Sequence, residues 1–473
     1  MRIGPLASVV LVVAMPGPAA HGQAIDTVLL TEQAFVHHPF VYSTFAALID
    51  RSDRPFLYAA GVEHGLRTYD ISDPAAPVEV DVLWPPAFGG LKPTNIHQDG
   101  DLLYVSLGGF QGVTQAAGLA VLDIADPANA AVLDQWDSAA FTSGSAIVRV
   151  RNGFAYLGAM REGLVVLDVN DPADIRFVSS FQPDTTWPGL VNYPPNARGM
   201  DFKGDTLLLA YDAGALRAIA IDDPTDLVEV DRYLNPLQPA ATPCAYNNVR
   251  VVGDVCYVTT DFCGFEAVDI RNATAMQQLA WVNPWNCNGG SWFGSDGHAN
   301  ELIPAAGDSL LFVNGGDSEV LVYDITEPVT PLLVGGFIHP NDSSVAWGVD
   351  VHDSLMVLSY IDNSLVFWPP QPYYADDGGI QLFTWTVDRS TAFPDPGRDR
   401  SWQVWPNPTQ GPLNIALEGV AQAVVRDHLG RVLWQGRVQG PRARIDLPRP
   451  APGSYLVELI TPQGRNVLRT VVQ

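Results

Sequence analysis

One phrase returns along the chain and narrows what it can fold into. Gly65-Leu66-Arg67-Thr68-Tyr69-Asp70-Ile71-Ser72-Asp73-Pro74 reappears as Gly118-Leu119-Ala120-Val121-Leu122-Asp123-Ile124-Ala125-Asp126-Pro127 and again from Gly163, ending Asp168-Val169-Asn170-Asp171-Pro172. Looser copies begin at Leu216, where Ala220 replaces the Asp, and at Phe265, where Asn272-Ala273 replaces Asp-Pro. Another begins at Val320 and keeps Asp324-Ile325 ahead of Glu327-Pro328, and the seventh, Ile380 to Val387, has Thr384 in the Asp place. The apolar anchors at 66, 119, 164, 216, 265, 320 and 380 lie 53, 45, 52, 49, 55 and 60 residues apart. That period suits one four-stranded sheet per repeat.

Each unit supplies the strands such a sheet needs. An apolar run, Phe56 to Ala60 or Leu103 to Leu107, precedes the anchor, and an alternating run, Val78 to Val82, follows the Asp-Pro turn. A short strand such as Ile147 to Val150 or Val249 to Val252 opens the next unit, and helical periodicity is nearly absent. The expected fold is all-β: a seven-bladed β-propeller over residues 25–389, with six or eight blades as alternatives. The last unit lacks an outer strand, whereas Asp26 to Leu30 is spare; pairing the two would close the ring and remove its edges. The recurring Asp reads as a turn device, since Asp caps a turn and Pro fixes φ. A catalytic residue would normally appear once.

These repeats resemble the LVIVD family of bacterial surface propellers, on the strand that here reads Leu164-Val165-Val166-Leu167-Asp168-Val169. The resemblance covers roughly residues 45–388. It implies a propeller and brings no catalytic residues with it.

The first 24 residues read as a signal peptide: Met1-Arg2, an apolar run from Leu6 to Val13, Pro16 and Pro18, then Gly22-Gln23-Ala24 with small residues where a signal peptidase reads. A buried N-terminal strand is the alternative. No later stretch has the length of a transmembrane helix. Cys244, Cys256, Cys263 and Cys287 fall within 44 residues, which in an exported chain suggests local disulfides with three pairings open. A metal site is the weaker reading, because no His is interleaved among them.

Ser390 to Arg400 is a Pro-containing linker, and beyond it the charge changes sign. Residues 401–473 carry eight Arg and four acidic side chains, a net of +4 in a chain of net −26. Short strands and turns in this stretch predict a small C-terminal β-sandwich. Trp405-Pro406-Asn407-Pro408-Thr409 with Gly411, Asp427-His428-Leu429-Gly430-Arg431, and Asp446-Leu447 followed by Pro452-Gly453-Ser454-Tyr455 occur in that order. They resemble the C-terminal sorting domain of the type IX secretion system. The resemblance implies passage through the periplasm, recognition by the type IX machinery at the outer membrane, and removal of the tail with release or surface attachment. An accessory β-sandwich that stays attached is the alternative.

Functional chemistry is sparse. A net charge of −26 repels phosphate backbones and argues against nucleic-acid binding. No nucleophile elbow, H-E-x-x-H helix, P-loop or dinucleotide fingerprint occurs. His97, His298 and His352 lie near inner strands, where they either converge in the channel or bond their own loops. No cofactor is expected; calcium is the candidate ion, at Ser295-Asp296-Gly297, Gly315 to Glu319 and Asp376-Asp377-Gly378. The loops between units gather on one face and carry Trp84, Trp187, Tyr193, Trp285 and Trp292 among Asn, Gly and Pro, with His298 close by. Aromatic rings beside amides suit stacking on sugars or capture of a protein surface. The expected function is a secreted or cell-surface binding module for glycan or protein, without chemistry of its own. A hydrolase or oxidoreductase with a channel site, or a structural scaffold, are the alternatives.

Overall fold

The computed structural model describes residues 27–38, 43–109, 114–189, 194–238, 245–287, 297–316, 319–338, 344–364 and 374–388, and, in the tail, 402–405, 413–417, 420–427, 431–440, 443–447, 453–461 and 464–472. The expected signal peptide, the linker, Tyr193, Cys244, Trp292, Pro406, Asn407, Pro408 and Gly430 lie outside the described residues. The chain divides into two compact units, Ile25–Ser390 and a second that holds Thr391–Gln473.

Among its described residues the first unit holds seven four-stranded antiparallel sheets and no α-helix. It is a β-propeller, and its sheets are numbered here as blades in chain order. Blade 1 runs Ala46–Ile49, Phe56–Ala60, Leu66–Asp70, Val78–Leu83, from the inner strand outward. Blades 2 to 6 repeat that order, with inner strands Pro93–Asp99, Ile147–Arg151, Gly199–Lys203, Tyr246–Val252 and Leu302–Ala305. The middle strands read as continuous apolar runs because both faces of a blade are covered by its neighbours. Leu164, Val165, Val166 and Leu167 are all fully buried.

Blade 7 is composite. Val345–His352, Leu355–Ile361 and Gly379–Asp388 come from the end of the unit, and its outer strand is Thr27–His37, paired antiparallel from Thr27 opposite Asp388 to His37 opposite Gly379. The closing strand is longer than the five residues read from sequence. A bulge between Glu32 and Ala34 carries the pairing past the polar Thr31-Glu32-Gln33 and on to Phe35 and Val36.

The repeated Asp residues make turns. Asp70, Asp123 and Asp168 each accept the backbone N–H two residues on, at 2.8, 2.8 and 3.0 Å, and Asp73, Asp126 and Asp171 repeat the bond at 3.1, 3.3 and 3.1 Å. A second Asp, on the outer strand, joins neighbouring blades. Asp81, Asp134 and Asp231 accept the N–H groups of Ala130, Ile175 and Met276 in the next blade, at 3.2, 2.7 and 2.7 Å.

The four cysteines do not form the framework of paired bridges that their clustering suggested. Cys263 and Cys287 are bonded, but Cys256 is a free thiol. It faces inward on Val255–Thr260 and is fully buried among Leu208, Val258 and Val268, so the strand alternation aims it into the core rather than at another sulfur.

The tail forms a three-stranded sheet (Trp402–Trp405, Leu413–Leu417, Ala443–Ile445) and a four-stranded one (Val432–Gln439, Val420–Asp427, Gly453–Thr461, Gly464–Val472). Tyr455 and Val457 are buried with Leu413, Val425 and Leu459 in its core, Gly453 opens a strand, and Arg431 is exposed ahead of another.

Candidate functional site

The register within the blades locates one ring of positions. Leu48, His97, Arg149, Asp201, Arg250, Ile303 and Asp350 each pair with the centre of the second strand of their blade. Three residues before each of them stand Phe45, Thr94, Ala146, Arg198, Asn247, Asn300 and Trp347, one per blade, and all seven line a single pocket. Asn95, Asn248 and Glu301 complete its wall. The cavity has a volume of about 400 Å³, counting the part open to solvent. Since inner strands line a propeller's central channel, the pocket is axial.

Its lining is polar and largely buried. The Arg198 guanidinium lies 5.7 Å from the Trp347 ring centre and 3.5 Å from Asn300 Oδ1. Phe45 stacks on Trp347 at 5.4 Å and His298 at 6.0 Å, so that indole is already enclosed. Asn248 donates to Glu301 at 3.1 Å, and Arg250 pairs with the same carboxylate at 3.3 Å. Asn247 Nδ2 spends both hydrogens, on Asp261 at 2.8 Å and on the Ala299 carbonyl at 2.9 Å. Three amide atoms, Asn95 Oδ1, Asn247 Oδ1 and Asn300 Nδ2, are buried without a partner. Such groups are rare and point to something that would complete them.

Behind the pocket lies a buried acid–base pair. His298 Nε2 is 3.0 Å from Asn300 Oδ1 and 3.3 Å from Asp261 Oδ1. Burial, reinforced by Asp212, raises the Asp261 carboxyl to about 8, while burial, with Arg198 beside it, lowers His298 to about 3. At neutral pH the contact is therefore a protonated acid against a neutral imidazole, not an ion pair. Further along the channel, burial and the guanidinium groups of Arg149, Arg250 and Arg51 lower His97 to about 3 as well.

These shifts predict an acid limb of stability. The unfolded chain protonates His97 and His298 near 6.5, the folded chain only near 3, so the stability they lend is complete above pH 6.5 and is lost as the pH falls toward 3. Asp261 acts oppositely: its contribution is complete below 3.8 and is lost as the pH rises through about 8. The expected result is that melting temperatures of His298→Gln fall less between about pH 7 and pH 4 than those of the parent. Parallel curves would show that the imidazole does not titrate this way.

The three channel histidines do not form one cluster. His97 and His298 have different neighbours, and His352, at the far end of the inner strand that starts near Trp347, contacts Asp53 at 3.1 Å. Asp53, His352 and Asp353 bring donor atoms within 4.8 Å of one another, but the two carboxylates are exposed. Of the calcium candidates, Ser295-Asp296 and Asp317-Ser318 lie outside the described residues, and Asp376 and Asp377 are engaged by Tyr374 and His37 at 2.9 and 2.6 Å.

The aromatic loops do not make the stacking surface that their composition suggested. Trp285 is buried, its ring so close over Gly297 that a Cβ there would fall 2.0 Å from it, beside the Cys263–Cys287 bridge. Trp187 is half-buried under Arg217 and Arg232, at 4.9 and 5.4 Å from its ring centre. Trp84 is 49% exposed, with Arg67 over its ring at 5.2 Å. In each case an internal partner takes a ring face, because long loops between blades need side chains to fill the gaps beneath them. His298 does line up with the site, but from behind it. Arg198, Asn95, Asn247, Asn300 and Glu301 were missed; the signal was the polar residue opening nearly every inner strand.

A family model for a secretion system C-terminal sorting domain matches residues 403–473, and the model for the LVIVD repeat matches residues 55–82 and 144–182. No curated protein matches the chain. Among solved structures, U3-55K is 9% identical over 76% of this chain and 98% of that one, with a TM-score of 0.52. The β-propeller domain of Myceliophteria thermophila Cps50 (Swd1) is 11% identical over 75% and 99%, with a TM-score of 0.50. PorZ, a bacterial surface component of the type-IX secretion system of Porphyromonas gingivalis, is 13% identical over 90% and 65%, with a TM-score of 0.40. The first two likenesses are of fold alone.

Proposed function

For a chain that carries LVIVD repeats in a β-propeller and ends in a type IX sorting domain, we propose the role of a surface binding module whose ligand enters the axial pocket. The sorting domain directs the protein to the cell surface or the extracellular space and implies contact with the type IX machinery. The observation that supports binding is the convergence of seven equivalent residues on one polar cavity with buried amide atoms left unpaired. Binding rather than catalysis is favoured because Asp261 is turned away: Asn247 holds it, and it does not line the cavity.

The test is binding of the purified protein to cell-surface glycan and protein fractions. Arg198→Met should weaken capture about tenfold, the loss of one charged hydrogen-bonding group in a desolvated site. Trp84→Ala should change it less than about threefold, because that ring lies outside the pocket. The reverse ranking would return the site to the aromatic loops.

A further inference from the structure

The unpaired atoms of the pocket specify the chemistry of what fills it. Asn247 is 2% and Asn300 5% exposed. The orientation of Asn247 is fixed, since its nitrogen already donates to Asp261 and to the Ala299 carbonyl. Its Oδ1 therefore needs a donor. Asn300 Oδ1 faces the His298 ring nitrogen, which leaves Asn300 Nδ2 in need of an acceptor. On blade 2, across the ring from blades 5 and 6, Asn95 Oδ1 needs a second donor. The remaining polar groups are satisfied: Thr94 Oγ1 bonds Ser106 and Ser145, and Asn248 bonds Glu301 and Val249.

A carboxylate offers only acceptors and would set its lone pairs against two amide oxygens. An ammonium offers only donors and would leave Asn300 Nδ2 unmatched. A primary amide has both, but gathered at one end, so it cannot reach both sides of the ring at once. Hydroxyl groups spread around a small ring donate and accept in several directions. Resting on the reading of this pocket as the binding site, we infer that the axial pocket is the seat of a neutral sugar residue, held by hydrogen bonds from its hydroxyls to Asn95, Asn247 and Asn300. The Trp347 indole does not stack on it, since Phe45 and His298 already lie against that ring.

Isothermal titration of the full protein with methyl glucoside, methyl mannoside and methyl galactoside, with glucuronate, and with N-acetylglutamine amide tests this. At least one neutral glycoside should bind. Asn300→Asp, which swaps the free donor for an acceptor, should weaken it about tenfold or more, and Asn95→Leu should do the same. Asn95 has no side-chain bond to lose, so its variant guards against a folding artefact in the other. Binding of glucuronate or the glutamine amide alone, lost in Asn300→Asp, would overturn the sugar and leave the pocket standing. Glycoside binding untouched by both variants, or no binding by any probe, would overturn the pocket as well.

Discussion

Deleting residues 25–38 should lower the melting temperature of the propeller by at least about 10 °C. The closing strand pairs along its length with Gly379–Asp388 and sets Val28 into the core of Phe312, Val334 and Phe383, with Leu30 and Phe35 packed against it. Burial of three such side chains stabilises by roughly 5 kcal/mol, at about 2 °C or more for each kcal/mol in a domain of this size. The deletion also uncovers an unpaired edge on Gly379–Asp388, so aggregation should accompany the loss. A truncated protein that melts within about 3 °C of the parent would mean that the ring is held by blade packing alone.

Replacing Arg217 should be nearly as damaging, although it lies in a loosely conforming repeat. Its side chain is fully buried and donates to both Glu229 oxygens at 3.0 and 2.9 Å, to the carbonyls of Gly214, Asp184 and Trp187 at 2.7, 2.9 and 3.0 Å, and lies over the Trp187 and Tyr211 rings. Removing one partner of a buried pair leaves the other charge and three carbonyls unmet, which costs about 3–5 kcal/mol. Arg217→Leu should show that loss in urea unfolding, whereas Glu229→Gln, which keeps an acceptor, should lose only about 1 kcal/mol. A loss below about 1 kcal/mol in Arg217→Leu would mean that the Trp187 loop is not fastened through this guanidinium.

The same arginine shows what the sequence could reveal and what it could not. The repeat of apolar anchor and Asp-Pro turn lies on one strand and one tight turn, so local chemistry alone writes it into the sequence at a steady period. Leu66, Leu119, Leu164, Leu216, Phe265, Val320 and Ile380 are the starts or near-starts of seven third strands. The pocket is written on a different strand. The separation from the channel position to the anchor runs from 15 residues, Arg149 to Leu164, to 30, Asp350 to Ile380, because hairpins and inserts differ between blades. Equivalent residues such as Arg198 and Asn247 therefore fall out of phase with the visible repeat, and only strand register aligns them. The aromatic loops misled for another physical reason. Sequence shows that a Trp stands in a Gly- and Pro-rich loop, but not whether an arginine two strands away covers its face, as Arg217 covers Trp187.

Hydrogen exchange of the whole protein, with and without a saturating neutral oligosaccharide, tests the central claim most directly. Ligand seated on the axis should slow exchange at the start of the inner strands, around Phe45, Asn95, Arg198, Asn248, Glu301 and Trp347, in several blades at once. Protection confined to the loops around Trp84 and Trp187, with the inner strands unchanged, would contradict it.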